Sequence, residues 1–403
     1  MSSTTVVGSS RRWVMLGCSL IAAMTTTCVV SGFAYLIPAL HQSGMSISDA
    51  SVLAAVPTVG LMLAILGWGV LLDRHGERLI LTISLSITLV GAIGAAIAAW
   101  LEAPYPVLAA CLFIGGAGSG AANGASGRIV VGWFSPAQRG TAMGIRQMAQ
   151  PLGIAVCALS MPVVAEHHGV AAALIIPVAV TALGLIACVV GIVDPLNTPS
   201  AGEEASEQRN PYREGSFLAR VHAVSVLLVI PQSMLWTFVP TWLIVARHWS
   251  PAAAGVLVTI TQTVGAFGRI AAGRWSDAWL SRMRPVRVIA VVAGLAMAAL
   301  AFTDWFGSSV SVAIMCVASV ASVADNGLAF TAIAEFAGPR WSGRGLAVQN
   351  TAQYLATAAS TPIFGAVIGA VGFPLAFAVS AVAPLVAIPL VPNDPDPVTE
   401  PVD

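Results

Sequence analysis

Apolar runs long enough to cross a lipid bilayer recur along this sequence from Trp13 to Leu390. A transmembrane helix needs about 20 mainly apolar residues to cross roughly 30 Å of hydrocarbon. Hydrophobic residues fill 57% of the 403 positions and charged residues only 9%, whereas soluble domains carry about 25% charged residues. The sequence therefore predicts an all-α integral membrane protein and excludes a soluble fold.

Polar residues, glycines and prolines separate these runs into about twelve spans, which is enough for two bundles of six helices. The predicted spans fall near 13–40, 49–71, 79–101, 105–131, 139–164, 170–193, 217–246, 252–275, 285–304, 308–334, 343–368 and 372–391.

One hydrophilic segment interrupts the pattern between the sixth and seventh spans. Its charges lie among Pro, Ser and Asn, a composition typical of a flexible linker. We expect an N-terminal six-helix bundle at 1–193, a cytoplasmic linker at 194–216, a C-terminal six-helix bundle at 217–392 and a disordered tail at 393–403.

Arginine placement orients the spans, because short cytoplasmic loops are enriched in basic residues. All 18 basic residues are arginines, which is typical of a GC-rich bacterial genome, and most of them fall on alternate loops. The opposite loops carry Arg247 together with acids and histidines. This pattern predicts a multi-pass protein of the bacterial cytoplasmic (inner) membrane with both termini in the cytoplasm.

Composition also excludes several partners and activities. The formal net charge is zero, so no positive electrostatic field would attract nucleic acid. The six cysteines lack the paired spacing of a metal or redox motif. A membrane enzyme would need a metal cluster or a nucleophile–base pair within the spans, whereas His167 and His168 lie in a short outer loop. We expect no catalytic residue, no metal and no cofactor; the expected partners are the lipid bilayer and a small-molecule substrate.

The two halves of the chain share a repeated pattern. Gly-x-x-x-Asp occurs at the cytoplasmic ends of the second and eighth spans, and other matched positions follow at nearly constant offset. The matched pairs are Gly69 and Gly273, Asp73 and Asp277, Asn123 and Asn326, Arg139 and Arg344, and Ser46 and Ser250. Because each half has an even number of spans, the copies lie parallel, which is a transporter architecture.

The segment from Gly69 to Leu81 resembles the signature between spans two and three of the major facilitator superfamily. The matching residues are Gly69, Asp73, Arg74, Gly76 and Arg78. Glu77 departs from this signature at a basic position, and only Gly273 and Asp277 survive in the second half. The resemblance covers essentially the whole chain and implies two parallel-repeat bundles, secondary transport by alternating access, and a monomer that contains a complete transporter.

The same resemblance implies a gating role for the signature residues. Asp73 would latch against span eleven and Asp277 against span five, closing the cytoplasmic side in one state only. Arg128, near the cytoplasmic end of span four, would join the gating charges around Asp73. The alternative is that these charges only enforce topology.

Ionisable groups deep in the spans are the candidates for substrate chemistry. Arg146 and Arg269 lack basic counterparts in the repeat, and the resemblance implies that they face each other across one water-filled cavity. Two guanidiniums suit an anion. Gln150 lies one helical turn beyond Arg146, and Gln262 shares a helix face with Arg269. Asn123 and Asn326 belong to a ladder of polar residues expected to line the cavity, and they complete the predicted substrate-binding set.

Asp325 leaves two interpretations open. It is either a protonation site that couples transport to the proton gradient or the partner of Arg269 in a buried ion pair.

The sequence favours uptake or exchange of a small, monocarboxylate-like organic anion. The alternative is proton-coupled export of amphipathic drugs or metabolites, with the arginines held in ion pairs.

Overall fold

The computed structural model describes residues 9–134, 138, 142, 145–193 and 210–394. Eleven of its helices are long and apolar enough to cross a membrane, and Ile175–Gly191 is a shorter apolar helix. The predicted all-α membrane fold with about twelve spans is therefore confirmed.

The helices of the N-terminal half follow the predicted spans. They are α1 Ser9–Ser31, α2 Ile37–Gln42, α3 Ile47–His75, α4 Glu77–Trp100, α5 Tyr105–Gly118, α6 Ala121–Trp133, α7 Ala149–Ala173 and α8 Ile175–Gly191. A 3₁₀ turn joins α1 to α2, so that both belong to one apolar stretch, Arg11–Gln42.

The C-terminal half is built in the same way. Its helices are α9 Phe217–Thr241, α10 Pro251–Ala278, α11 Met283–Trp305, α12 Val310–Ala321, α13 Asn326–Val371 and α14 Phe373–Leu390. Helix α13 comprises the end of the span Val310–Gly338 and the whole of the span Trp341–Val371. Gly338, with φ 69° and ψ 174°, leaves the helical conformation between them. Only glycine adopts this conformation without strain.

The chain forms two compact units. The first unit comprises Met1–Glu203 and Thr237–Thr259, and the second comprises Glu204–Trp236 and Ile260–Asp403. The domain limits expected from the sequence stay a prediction.

Glycines let the helices of the first unit approach closely. A Cβ atom on Gly116 of α5 would lie 2.0 Å from the carbonyl oxygen of Pro57 on α3. A Cβ atom on Gly91 of α4 would lie 2.3 Å from the backbone nitrogen of Gly115. Neither position has room for a side chain, so both glycines serve helix packing.

A helix break occurs at matched positions of the two halves. Helix α5 gives way to α6 around Ser119, and α12 gives way to α13 after Ser322. The offset from Ser119 to Ser322 is the one that relates Asn123 to Asn326. Each serine hydroxyl donates to the carbonyl three residues earlier. Interrupted helices at corresponding positions of a repeat are a pointer to the binding site.

The helices that follow the first loop of each half also start alike. Ser46 caps α3 by accepting from the N–H of Asp49 at 3.0 Å. Ser250 does the same for α10, accepting from the N–H of Ala253 at 3.3 Å. Such a cap satisfies a backbone donor that the first helical turn leaves unpaired. The sequence repeat is therefore also a structural repeat.

Candidate functional site

The signature segment forms the connection between α3 and α4. Gly76 adopts φ 81° and ψ 173°, which ends α3 and lets α4 begin at the next residue. Arg74 is exposed, and Arg78 donates to the carbonyl of Val189 on α8 over 2.9 Å. The Asp73 side chain lies outside the described part of the structure, so its latch stays a prediction.

Glu77 is the residue that departs from the signature. Its side chain is buried, and its Oε1 accepts from Arg128 Nε over 2.7 Å. Arg128 therefore neutralises the acid that stands at a basic position of the signature. The sequence predicts a gating role for Arg128, which stays a prediction, and the structure shows that Glu77 is one of its partners.

The second copy of the signature carries its charges differently. Asp277, near the end of α10, accepts from Arg282 Nη1. Arg282 Nη2 also donates to Glu335 Oε1 over 2.9 Å. The hydrogen bonds that Arg282 donates to Glu335, reinforced by the one to Asp277, raise the pKa of Arg282 above its usual value. An arginine thus joins two spans of the second unit at this end.

The first glycines of the two signatures lie in open surroundings. A Cβ atom on Gly69 or on Gly273 would meet no atom within 4 Å among the described residues. Packing within their own units therefore does not explain why these positions carry glycine.

Arg146 contacts α6. Its Nε donates to Ser126 Oγ over 2.8 Å, and its Nη2 donates to the carbonyl oxygen of Asn123 over 2.7 Å. The structure thus brings two predicted site residues, Arg146 and Asn123, into direct contact. Gln150 is half-buried one helical turn further along.

Arg269 lies beside the helix break of the second unit. Its Nε donates to the carbonyl oxygen of Val323 over 3.3 Å. Asp325, only 2% exposed, is close enough for an electrostatic interaction with this guanidinium. Gln262 is buried on the same helix as Arg269, two turns earlier. The break thus places a buried acid within electrostatic reach of an arginine, and both interpretations of Asp325 stay predictions.

Asn326 belongs to a buried chain of hydrogen bonds. Its Nδ2 donates to Gln232 Oε1 over 3.0 Å, and its Oδ1 accepts from Gln353 Nε2 over 3.3 Å. Gln353 Nε2 also donates to Ser225 Oγ over 2.9 Å. Ser225 accepts a further bond from Gln349 Nε2. Three spans therefore meet in one polar network.

The network ends on a histidine that sequence reasoning missed. His222 is 8% exposed, and its Nδ1 contacts Gln349 Oε1 over 2.7 Å. Its Nε2 contacts the hydroxyl of Tyr212 over 3.1 Å, and the two rings stack 6.0 Å apart. Burial raises the pKa of Tyr212, so this hydroxyl keeps its proton. The signal was available, because His222 is an ionisable residue within an apolar run.

Comparison with known proteins agrees with this architecture. The Major Facilitator Superfamily model matches residues 15–361. An uncharacterized MFS-type transporter, present in two strains of Mycobacterium tuberculosis, is 46% identical over 386 residues. The alignment covers 96% of this chain and 86% of the relative.

Solved structures show the same fold at low sequence identity. The crystal structure of a D-xylose–proton symporter matches with a TM-score of 0.74 and 15% identity, covering 95% of this chain and 99% of that one. A bacterial homolog of the human lysosomal transporter Spinster, inward-facing and unoccupied, matches with a TM-score of 0.75 and 15% identity. That match covers 95% of this chain and 97% of the homolog.

The repeat, the signature and these matches agree on one assignment. The chain is a multi-pass membrane transport protein rather than an enzyme, and it works as a secondary transporter by alternating access. It belongs to the major facilitator superfamily.

Proposed function

We propose that this transporter carries a small, monocarboxylate-like organic anion, with Arg146 and Arg269 as its ligands. A guanidinium keeps its charge at physiological pH and offers paired N–H donors that match a carboxylate. Both arginines belong to membrane spans, Ile145–Ala173 and Pro251–Ala278. Ionisable side chains within spans mark substrate and ion pathways.

The orientation of Arg146 carries the proposal. Its Nε and Nη2 are held by two acceptors on α6, Ser126 Oγ and the Asn123 carbonyl. Bonds from two different nitrogens fix the plane of the guanidinium. A donor group that is already oriented loses less conformational entropy when it binds a ligand. This arrangement supports a role for Arg146 in recognition of an anion.

Asp325 supplies a means of coupling transport to protons. It is buried and interacts electrostatically with Arg269. Protonation removes the negative charge of Asp325, and with it the attraction that competes with an anion for Arg269. The anion and the proton therefore favour the same state of the transporter, which is the requirement for symport.

Uptake into proteoliposomes tests the proposal. The panel contains monocarboxylates, neutral sugars and cationic dyes, each measured with and without an inward proton gradient. We expect monocarboxylate uptake that the gradient stimulates and that Arg269→Gln lowers at least tenfold. Arg284→Gln serves as control because Arg284 is exposed in the first turn of α11. Transport of dyes that is indifferent to Arg146→Gln and Arg269→Gln would instead support amphiphile export.

A further inference from the structure

The side-chain amides around Asn326 use some of their donors and acceptors to bind one another. The donors and acceptors that they leave unused form a defined pattern for a ligand. Both hydrogens of Gln353 Nε2 are used, one on Ser225 Oγ and one on Asn326 Oδ1. Gln353 Oε1 has no hydrogen-bond partner among the described residues. An amide oxygen accepts up to two hydrogen bonds, so Gln353 offers an acceptor.

Gln232 offers the complementary group. Its Oε1 accepts from Asn326 Nδ2, whereas its own Nε2 donates to none of the described residues. Asn326 uses one of its two amide hydrogens in that bond and keeps the second. An acceptor on Gln353 and a donor on Gln232 therefore lie on either side of Asn326, which supplies a second donor.

A third donor lies one helical turn from Gln232. The indole Nε1 of Trp236 is buried and has no hydrogen-bond partner in the described part of the chain. Leaving a buried donor unsatisfied destabilises the folded protein, and buried polar groups without partners are rare in native proteins. A ligand atom that accepts from Trp236 would remove this cost.

The far end of the network holds the amide of Gln349 in one orientation. Gln349 Oε1 can only accept, so its contact with His222 Nδ1 places the ring proton on Nδ1. In that tautomer His222 Nε2 accepts from the Tyr212 hydroxyl. Gln349 Nε2 must then face Ser225. Gln349 is fully buried, and Ser225 Oγ, which accepts from it, also accepts from Gln353 Nε2.

We infer that this network is a hydroxyl-recognition site, and that the transported anion is a hydroxylated carboxylate. An alcohol is both a donor and an acceptor, so one hydroxyl satisfies Gln353 Oε1 and accepts from Gln232 or Asn326. Asn326 follows Asp325, which interacts electrostatically with Arg269, so the backbone at the start of α13 links the network to the proposed carboxylate ligand. The carboxylate part of this inference rests on the proposed function, whereas the hydroxyl part has its own test.

Matched pairs of compounds provide the test. Lactate against propionate and malate against succinate differ by one hydroxyl, and xylitol supplies hydroxyls without a carboxylate. Uptake into proteoliposomes and thermal stabilisation of the purified full-length protein are measured for each. We expect the hydroxylated member of at least one pair to be preferred about tenfold, the size of one to two hydrogen bonds.

Variants assign that preference to the amides. Gln353→Met and Gln232→Met keep the length of the side chain and remove its hydrogen bonds, so the lactate-to-propionate or malate-to-succinate ratio should fall severalfold. Asn350→Ala is the matched control, because the Asn350 amide donates to the Leu346 carbonyl of its own helix. Its ratio should equal that of the wild type.

Each outcome decides between the two proposals. Equal uptake of both members of every pair overturns hydroxyl recognition and leaves anion transport standing. Transport of xylitol without any carboxylate overturns anion transport and supports hydroxyl recognition. Absence of uptake and of stabilisation with all five compounds overturns both.

Discussion

Arg128 Nε donates to Glu77 Oε1 over 2.7 Å, which joins the start of α4 to α6. Glu77 is nearly buried, whereas Arg128 is about one-third exposed. The pair explains how this chain tolerates an acid where the signature of its family has a basic residue. The charge is inverted at position 77, and span four supplies the compensating charge.

We expect Glu77→Gln to destabilise the protein by less than about 3 kcal/mol, because the exposed side of Arg128 is screened by solvent. Removing Arg128 instead should cost more, since it leaves the buried acid unpaired. The double change Glu77→Arg with Arg128→Glu should recover most of the stability. Thermal unfolding of the purified variants measures this, and a double mutant no better than Glu77→Arg would refute the pair.

The signature aspartate gives a second prediction. Asp73→Asn should slow transport much more than it weakens substrate binding, because a latch biases two conformations without contacting the ligand. Binding is measured on the purified variant and turnover in proteoliposomes. A large loss of affinity at unchanged turnover would move Asp73 into the binding site.

Asp325 and Arg269 should be energetically coupled. Removing one partner of a buried ion pair leaves an uncompensated charge, which costs about 3–5 kcal/mol in soluble proteins. Arg269→Gln combined with Asp325→Asn should therefore unfold at a higher temperature than either single variant. Strictly additive losses of stability would show that the two groups act independently.

Length and hydropathy were sufficient to predict the spans and the fold class, because a bilayer fixes how many apolar residues a helix needs. They were insufficient for the breaks at Ser119 and Ser322, since an interrupted helix keeps the same apolar composition. The Glu77–Arg128 pair was also missed. Its members lie 51 residues apart, and no local pattern in the chain relates two such positions.

The residues of the candidate site were likewise predicted only in part. Arg146, Arg269 and Asp325 could be predicted because an ionisable side chain within a span is costly and usually functional. The sequence did not reveal that Gln349, fully buried, holds other amides in place. Hydrogen-bond direction depends on which atoms meet in three dimensions, so the network through His222 required coordinates.

His222 should act as a positioning residue for the amides. His222→Leu removes the donor to Gln349 Oε1, so that Gln349 and then Gln353 gain freedom to rotate. The preference for a hydroxylated carboxylate over its deoxy analogue should decline severalfold, with a smaller loss in Tyr212→Phe, which keeps the ring stacking. A loss of stability with the substrate preference intact would make His222 a structural residue only.

Arg146 distinguishes anion transport from its alternative most directly. Lysine keeps the positive charge but lacks the planar fork, so Arg146→Lys cannot reproduce the paired contacts to Ser126 and Asn123 and should transport weakly. Arg146→Gln removes the charge and should nearly abolish uptake of an anion.

Ser126→Ala provides the matched control for that comparison. It deletes the hydroxyl that orients Arg146 and leaves the charge in place, so we expect an intermediate loss of uptake through weaker binding of the anion. A ranking of wild type, Ser126→Ala, Arg146→Lys and Arg146→Gln in decreasing affinity would mean that charge and orientation both contribute.

Because an exporter of neutral or cationic amphiphiles gains nothing from a fixed guanidinium, it should tolerate Arg146→Gln. Wild-type transport in that variant, at unchanged protein level and melting temperature, would remove Arg146 from the site and leave Arg269 as the remaining anion ligand.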